Sequence, residues 1–441
     1  MSQPLRIGCG AGTANDRFDA AVELVENGSL DVLVLECLAE RTTALGQLRE
    51  RTTPGSGADP TLARRVRSLL EPLRRHRTRL ITNLGSANPM AGGQLMVQLA
   101  TELGIPLRVA VLSGDDVSAG FDQAAPAWED GWPLDSHGEL ISANAYLGAE
   151  HILPALQTGA DVVITGRVAD PSLFVAPIAE HYGWRLDDWQ RMADGTVVGH
   201  LLECGSQVSG GYFADPPYKV VPDLAHLGFP VALVREDGRA VVTKNPETGG
   251  LVTVDTVLEQ LTYEVLDPTS YLTPDVTADF HAVSVNQVGP DRVAVHGAAG
   301  RPRPEQLKVS VGYKAGYRCE AEISYAGAGS VARGRLAADV VRERVSEFCK
   351  RARVDLFGVN ALHGEVLSGV GDPYECRVRL SVICPSLDQA EAAADEVVGL
   401  NNNGPAGGGG ARSQVTEVVG ILSTTIDRTA VNPAVTMLVT Q

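Results

Sequence analysis

Residues 5–38 read LRIGCGAGTANDRFDAAVELVENGSLDVLVLECL, and this stretch decides the fold class. Leu5–Gly8 is a short apolar run, Phe18–Glu26 reads as a helix, and Asp31–Leu38 is a second apolar run. A strand–helix–strand unit of this kind predicts two parallel strands joined by a right-handed crossover. The pattern continues outward. Thr61–Arg77 is helical, with Leu62, Val66, Leu69 and Leu73 on one stripe and Pro72 expected to kink or end it. Leu80–Asn83, Arg108–Leu112 and Asp161–Thr165 are further strands; Gly92–Leu103 and Asn144–Thr158 are further helices. Val197–Cys204 reads as a helix that runs into the glycine-rich GSQVSGGYFADPP.

From Val220 onward the pattern changes to short β-like runs such as Val231–Val234 and Ala240–Thr243. Gly297–Glu305 (GAAGRPRPE) reads as a linker. Beyond it, Lys308–Tyr313 and Arg377–Ile383 are strand-like, Leu336–Arg351 and Leu387–Leu400 are helical, and two strand candidates follow the glycine-rich 401–413. The expected architecture is α/β: an N-terminal parallel-sheet α/β domain over 1–300, followed by an α+β C-terminal domain over 306–441.

Composition narrows the function classes. A chain of 441 residues, 44% apolar and 21% charged, has length for two or three domains and for a real core. Its net charge of −17 repels phosphate backbones, so no nucleic-acid partner is expected. No apolar run suits a membrane span, and the start MSQPLRIGCG has no secretory pattern. Seven cysteines without a CxxC pair suit reduced thiols and a cytoplasmic location.

The candidate chemistry sits in turns. Gly8-Cys9-Gly10-Ala11-Gly12 is a partial dinucleotide fingerprint, with Thr13 where the third glycine belongs. A tight turn capped by Asn15 or Asp16 is the plainer reading. Most strands end in polar residues: Asp16 and Arg17 after the first, Asn83 after the third, Arg167 and Asp170 after the fifth. Parallel strands put these loops on one sheet edge, where ligands bind. Arg17 and Arg167 suit a carboxylate or phosphate. Chain reversal alone explains the glycines and asparagines better than it explains the Arg167–Asp170 pair.

The sharpest local signal is Gly199–Gln207, GHLLECGSQ. On a helix, His200 lies above Cys204 with Glu203 beside them. A base beside a thiol can generate a nucleophile, while Glu203 can orient His200 or itself move protons. Three competing readings are an inert buried cysteine, a metal-ligand set that lacks a fourth ligand at zinc spacing, and a satisfied helix-end histidine. No metal is expected.

Three glycine-rich segments could cradle an anion through successive N–H groups. They are Gln207 to Gly210 and Gly211, Lys244 with Gly249-Gly250, and Gly404–Gly410 (Gly408 and Gly409 included) with Arg412. Flexible linkers have the same composition. The arginines at 64, 65, 67, 74, 75, 77 and 79 either guide a coenzyme A phosphate or decorate a solvated helix.

GAGTANDR (10–17), ANAYLGAEHILPALQTGADVVITGRVADPSL (143–173), GHLLECGSQVSGGYFAD (199–215), TVLEQLTYEVLDPTSYLTPDVTADF (256–280) and GPAGGGGAR (404–412) resemble the acyclic terpene utilisation (AtuA) family from about residue 5 to the end. The resemblance implies a soluble bacterial enzyme acting near branched or unsaturated acyl thioesters, in the breakdown of citronellol- and geraniol-type terpenes. The positions the resemblance carries over are Asp16, Arg17, Arg167, Asp170, His200, Glu203, Cys204 and Gln207 within these motifs, and Asn83 and Lys244 outside them.

The expected activity is acid/base lyase or hydratase chemistry on an acyl thioester or related carboxylic substrate, in terpene or branched-acyl catabolism or in natural-product tailoring. Asp170, His200, Glu203 and Cys204 are the catalytic candidates. Asp16, Arg17, Asn83, Arg167, Gln207, Gly210, Gly211, Lys244, Gly408, Gly409 and Arg412 are the substrate or anion candidates. Coenzyme A is expected only as part of the substrate, with no covalently bound cofactor, and the chain is expected to be a homo-oligomer. The alternatives are an acyltransferase or thioesterase with Cys204 as nucleophile, a nicotinamide-dependent oxidoreductase, and a non-catalytic partner subunit of a pathway complex.

Overall fold

The computed structural model describes residues 3–347, 349, 352–364 and 373–440. The chain runs β1 (Leu5–Cys9), α1 (Phe18–Gly28), β2 (Val32–Leu35), α2 (Glu40–Thr52), α3 (Leu62–His76), β3 (Arg79–Thr82), α4 (Pro89–Glu102) and β4 (Arg108–Ser113). It continues through β5 (Leu140–Ala145), α5 (Ala149–Gln157), β6 (Val162–Thr165), α6 (Ser172–Tyr182) and α7 (Trp189–Glu203). The five strands β1, β2, β3, β6 and β4 are neighbours in that order, and every pair is parallel. β2 and β6 are buried at every residue. Helices on the faces of a parallel sheet require this, so VLVL and VVIT read as unbroken apolar runs instead of alternating.

Antiparallel strands extend this sheet on both sides. β7 (Pro230–Val234) pairs with β1, and β8 (Ala240–Lys244) with β7. After α8 (Val254–Thr262) come β9 (Tyr271–Leu272) and β10 (Thr277–Asp279), then β11 (Ser284–Gly289) and β12 (Arg292–His296). β12 joins β8, and β11 closes that edge. β13 (Ala299–Arg301) pairs with β10 in a small sheet. Gly297–Glu305 is therefore not a linker: its middle is a strand. β14 (Gln306–Ala326) follows; further on come α9 (Ser330–Ser346), β15 (Arg353–Phe357), β16 (Glu375–Cys384), α10 (Leu387–Val398), β17 (Gly409–Asp427) and β18 (Ala434–Val439). β18 lies antiparallel on β4.

Two compact units result. The first comprises the described residues up to Leu134, Ile141–Gly312, and Ile421 onward; the second comprises Asp135–Leu140 and Tyr313–Gly420. The division thus falls inside β14 and β17, where the sequence suggests a break near 300–306. In the second unit, β15, β16, β14 and β17 form a sheet in that order, and its core packs the inner faces of α9 and α10 through residues such as Ala337, Val341, Ala393 and Val397. No helix among the described residues is long and apolar enough to cross a membrane.

Several local readings change. α3 continues through Pro72 to His76, and Pro72 is buried in it. Asn144 and Ala145 end β5, so the helix there starts only at Ala149. The strand read over Asp31–Leu38 is confined to Val32–Leu35, since Glu36, Cys37 and Leu38 already turn toward the sheet edge. Gly409 and Gly410 belong to β17.

α7 carries His200 and Glu203 and is buried on all sides from Met192 to Glu203. Asp188 caps its start, accepting from the Arg191 N–H at 3.3 Å. Gly199 lets it approach the start of α6: a Cβ there would stand 2.8 Å from Pro171 Cα and O. Gly12 does the same at the other end of the site, where a Cβ would meet the Cys204 carbonyl carbon at 2.4 Å. We expect Gly199→Ala to destabilise the protein by about 1–3 kcal/mol, the cost of overpacking. A urea midpoint unchanged from the parent would show that α7 does not depend on this contact.

Candidate active site

Polar residues gather beyond the carboxyl ends of the parallel strands. After β3, Asn83 is fully buried. Its Oδ1 accepts from the Cys37 N–H and its Nδ2 donates to Glu36 Oε1, both at 2.8 Å. After β4, Asp115 Oδ2 accepts from the Arg167 N–H at 2.9 Å and from Asn144 Nδ2 at 2.8 Å. Burial still raises the Asp115 carboxyl to about 6.

After β6, the Arg167 guanidinium is almost wholly buried. Its Nη1 donates to the Leu38 carbonyl, its Nη2 to Asp170 Oδ1, and its Nε to the Val168 carbonyl at 2.8 Å. Its Cζ stands 4.6 Å from the centre of the Tyr146 ring. This guanidinium is spent on the protein's own groups, so it orders the pocket wall instead of reaching for a free anion.

On the last turn of α7, His200 Nδ1 lies 3.0 Å from Glu203 Oε1. The Tyr271 hydroxyl lies 3.5 Å from the same nitrogen, and the Tyr271 and Phe280 rings flank the imidazole at 5.2 and 5.5 Å. Gln260 Nε2 donates to the His200 carbonyl at 3.0 Å. His200 Nε2 and Glu203 Oε2 are buried with no hydrogen-bond partner in the protein.

Glu203 and Asp170 open into one cavity of about 680 Å3 within the first unit. Its polar walls include Glu40, Tyr146, Tyr271 and Lys308, and its apolar walls include Trp128, Pro171, Leu272, Pro274 and Leu307. The rim is tied together by Arg428, which pairs with Glu150 and donates to the carbonyls of Pro274 (2.7 Å) and Pro304 (3.1 Å).

The carboxyls of this cavity are in unlike environments. Burial pushes Asp170 well above the carboxylate range; Arg167 opposes it, and the nearby Glu36, Glu203 and Glu40 add to it. Asp170 shows 37% of its side chain to the cavity, enough to meet a ligand. At Glu40, burial is overcome by the Tyr146 hydroxyl and the Lys308 ammonium (3.2 Å), which bring the carboxyl down to about 2.

The structure therefore brings Arg167, Asp170, His200 and Glu203 together, with Asn83 behind them through Glu36. The other sequence candidates lie elsewhere. Cys204 is the C-cap of α7; it does not line the cavity, and burial followed by the Glu203 charge raises its thiol. Asp16 closes its own turn, accepting from the N–H groups of Gly12 (3.0 Å) and Arg17 (2.8 Å). Arg17 pairs with Asp19 and donates to the Leu227 carbonyl at 3.2 Å. Lys244 is buried and donates to the Thr248 carbonyl at 2.8 Å, with Asp291 at 3.5 Å, which leaves it no free charge for an anion.

Gln207 and Gly211 line a separate cavity of about 190 Å3. Gly210 ends a short 3-10 turn over Gly205–Ser209 with φ +110°, a backbone angle only glycine adopts freely. Gly408, Gly409 and Arg412 belong to the second unit, where Arg412 pairs with Glu322 and the Gly408 Cβ position is filled by Ile323 and Tyr325.

Residues 5–437 match the family described as acyclic terpene utilisation family protein AtuA. The chain belongs to the AtuA family. That membership gives it a role in acyclic terpene utilisation and covers both units of the chain. Neither the curated proteins nor the solved structures compared with it contain a match.

Sequence reasoning missed Glu40, Tyr146, Tyr271 and Lys308 as cavity residues. Tyr146 and Tyr271 do lie in two of the AtuA-like motifs, so a signal was present. Lys308, inside an apparently ordinary strand, carried none.

Asp275 gives a pH test of this framework. It accepts from the Ala149 N–H at 2.7 Å and from the Ser172 hydroxyl, tying the starts of α5 and α6, and burial raises it from 3.8 to about 6. Between pH 4 and 6 the folded chain holds a proton that the unfolded chain has lost, so this group's contribution to stability falls as pH rises through that window. The fall is roughly 3 kcal/mol. Asp275→Asn keeps the acceptor and removes the titration. Its stability relative to the parent, measured by urea unfolding at pH 4, 5, 6 and 7, should rise across that window and then level off.

Proposed function

We propose that this AtuA-family chain is an enzyme that transfers protons at an acyl substrate, in the hydratase or lyase class. The substrate is an acyl thioester, or a related carboxylic compound of acyclic terpene or branched-acyl metabolism, with coenzyme A as its carrier. The observation that carries the reading is the division of carboxyls around one cavity. Asp170 is driven toward its protonated form, Glu40 is held ionised, and Glu203 is positioned by His200. Pairs of carboxyls whose environments separate their protonation states are the usual basis of acid and base roles at neutral pH.

Asp170 is the proton donor in this scheme. Glu203 is the proton acceptor, and the imidazole of His200, at 3.0 Å, fixes its orientation. In hydration of an α,β-unsaturated acyl group, Glu203 takes a proton from water as the water oxygen bonds to the β-carbon. Asp170 then gives its proton to the α-carbon, and exchange with solvent restores both groups. Lys308, paired with Glu40 at the cavity wall but about one-third exposed, is the cation we assign to the acyl carbonyl. The apolar walls take the hydrocarbon, while the surrounding carboxylates disfavour deep entry of the coenzyme phosphates.

The raised thiol of Cys204 and its place outside the cavity favour this scheme over acyl transfer through sulfur. A thermal-shift comparison of branched and unsaturated acyl-CoA thioesters with the free acids identifies the ligand, since a compound that binds only the folded state must raise the melting temperature. With the thioester so found, Glu203→Gln and Asp170→Asn should each lower kcat/KM by about 100-fold or more, the usual scale of a lost acid or base. Cys204→Ser should stay within a few-fold of the parent. Inactive Cys204→Ser beside active Glu203→Gln would reverse the assignment. Turnover should also fall as pH rises and Asp170 loses its proton.

A further inference from the structure

A second cavity lies at the opposite ends of the same strands. It has a volume of about 370 Å3 and is bounded by the last turn of α3, the loop before β4 and the start of β6. Leu70, Leu73, Leu107 and Val162 make its floor, and all four are nearly or fully buried. Arg74 and Arg77, both exposed, line it as well.

These two arginines differ from the rest of their run. Arg64 and Arg65 lie over the Phe18 ring at 4.3 and 4.1 Å, and Arg65 also donates to the carbonyls of Ala14 and Asp16. Arg67 pairs with Glu102, Arg75 with Glu26 and Glu71, and Arg79 with Glu180. In a chain of net charge −17, carboxylates are plentiful, yet the side chains of Arg74 and Arg77 have no hydrogen-bond or ion-pair partner among the described residues. Arg77 also takes the left-handed conformation that ends α3, with φ 56°. Two free guanidiniums over an apolar floor form a site for a molecule with an anionic head and a hydrocarbon tail.

We propose that this cavity binds a medium-chain carboxylate, at a site separate from the catalytic cavity. The head is assigned as a carboxylate because, with Asp161 in the same wall, the two guanidiniums leave a net charge of +1, which one carboxylate balances and a phosphate dianion, costlier to desolvate, overshoots. The tail fits against the four buried side chains of the floor. The inference does not depend on the proposed reaction, since no residue is shared between the two cavities.

The test is calorimetric titration of the whole protein with octanoate, octanol, octyl phosphate and acetate. Octanoate should bind, while octanol and acetate bind at least tenfold more weakly, because each lacks one half of the recognition. The double variant R74A/R77A should weaken octanoate binding by about tenfold or more, the equivalent of one charged hydrogen bond. Arg67→Ala and Glu203→Gln should leave octanoate affinity unchanged. Circular dichroism of R74A/R77A checks that the fold is intact, and a bulky replacement of the floor, Leu107→Trp, should block octanoate independently of charge. Equal affinity for octanol, tighter binding of octyl phosphate, or undiminished octanoate binding in both R74A/R77A and Leu107→Trp would overturn the proposal. Loss of turnover in Glu203→Gln with octanoate binding retained would keep this result distinct from the fate of the catalytic reading.

Discussion

The cavity is organised around one buried guanidinium. Arg167 cannot shed its proton, so the chain must supply compensation wherever it is placed. It does so with the Leu38 and Val168 carbonyls, the Asp170 carboxyl and the Tyr146 ring. Leaving a buried charge of this kind uncompensated is strongly destabilising. The same contacts tie the turn after β6 to the segment after β2. The positions of Glu36, Glu40 and Tyr146 therefore follow from the need to keep one cation content. The carboxyls of this wall also behave differently: at Glu40 the Tyr146 hydroxyl and the Lys308 ammonium outweigh burial, whereas at Asp170 burial and the neighbouring Glu36, Glu203 and Glu40 outweigh Arg167.

The parallel sheet was legible because its signal is local. Each central strand is an unbroken apolar run followed by a polar turn, and the convergence of those turns at one edge follows from parallel order alone. This is why Asn83, Arg167 and Asp170 could be placed near one another without coordinates. The His200–Glu203 contact was also readable, since three residues on a helix make one face. Cys204 follows as the C-cap of that helix, and no local pattern told that it would stay out of the cavity.

Less legible were the features set by long-range contact. Lys244 looks like a free cation in sequence, but the turn that follows folds its own carbonyls onto the ammonium. The glycine run 407–410 looks like a flexible cradle, yet two of its members are in a strand and another is small because Tyr325 and Ile323 occupy the space beside it. Tyr271 and Lys308 enter the cavity from strands far along the chain, and no local pattern marks a strand residue as lining a cavity on another sheet's edge. The linker reading of Gly297–Glu305 fails for a similar reason: proline and glycine there shape a short strand and a cavity rim instead of a tether.

The pairing of β18 with β4 has a consequence for how the chain is made. The Leu107 N–H donates to the Thr440 hydroxyl across a separation of 333 residues. At a synthesis rate of about 5–20 residues per second, β4 leaves the ribosome roughly 20–70 s before its neighbour exists. For that interval the nascent sheet has an open border with unsatisfied amides, the kind of surface that recruits chaperones or other unfinished chains. The first unit is therefore the first to begin and the last to be sealed, and translation speed over the second unit sets how long that border is exposed.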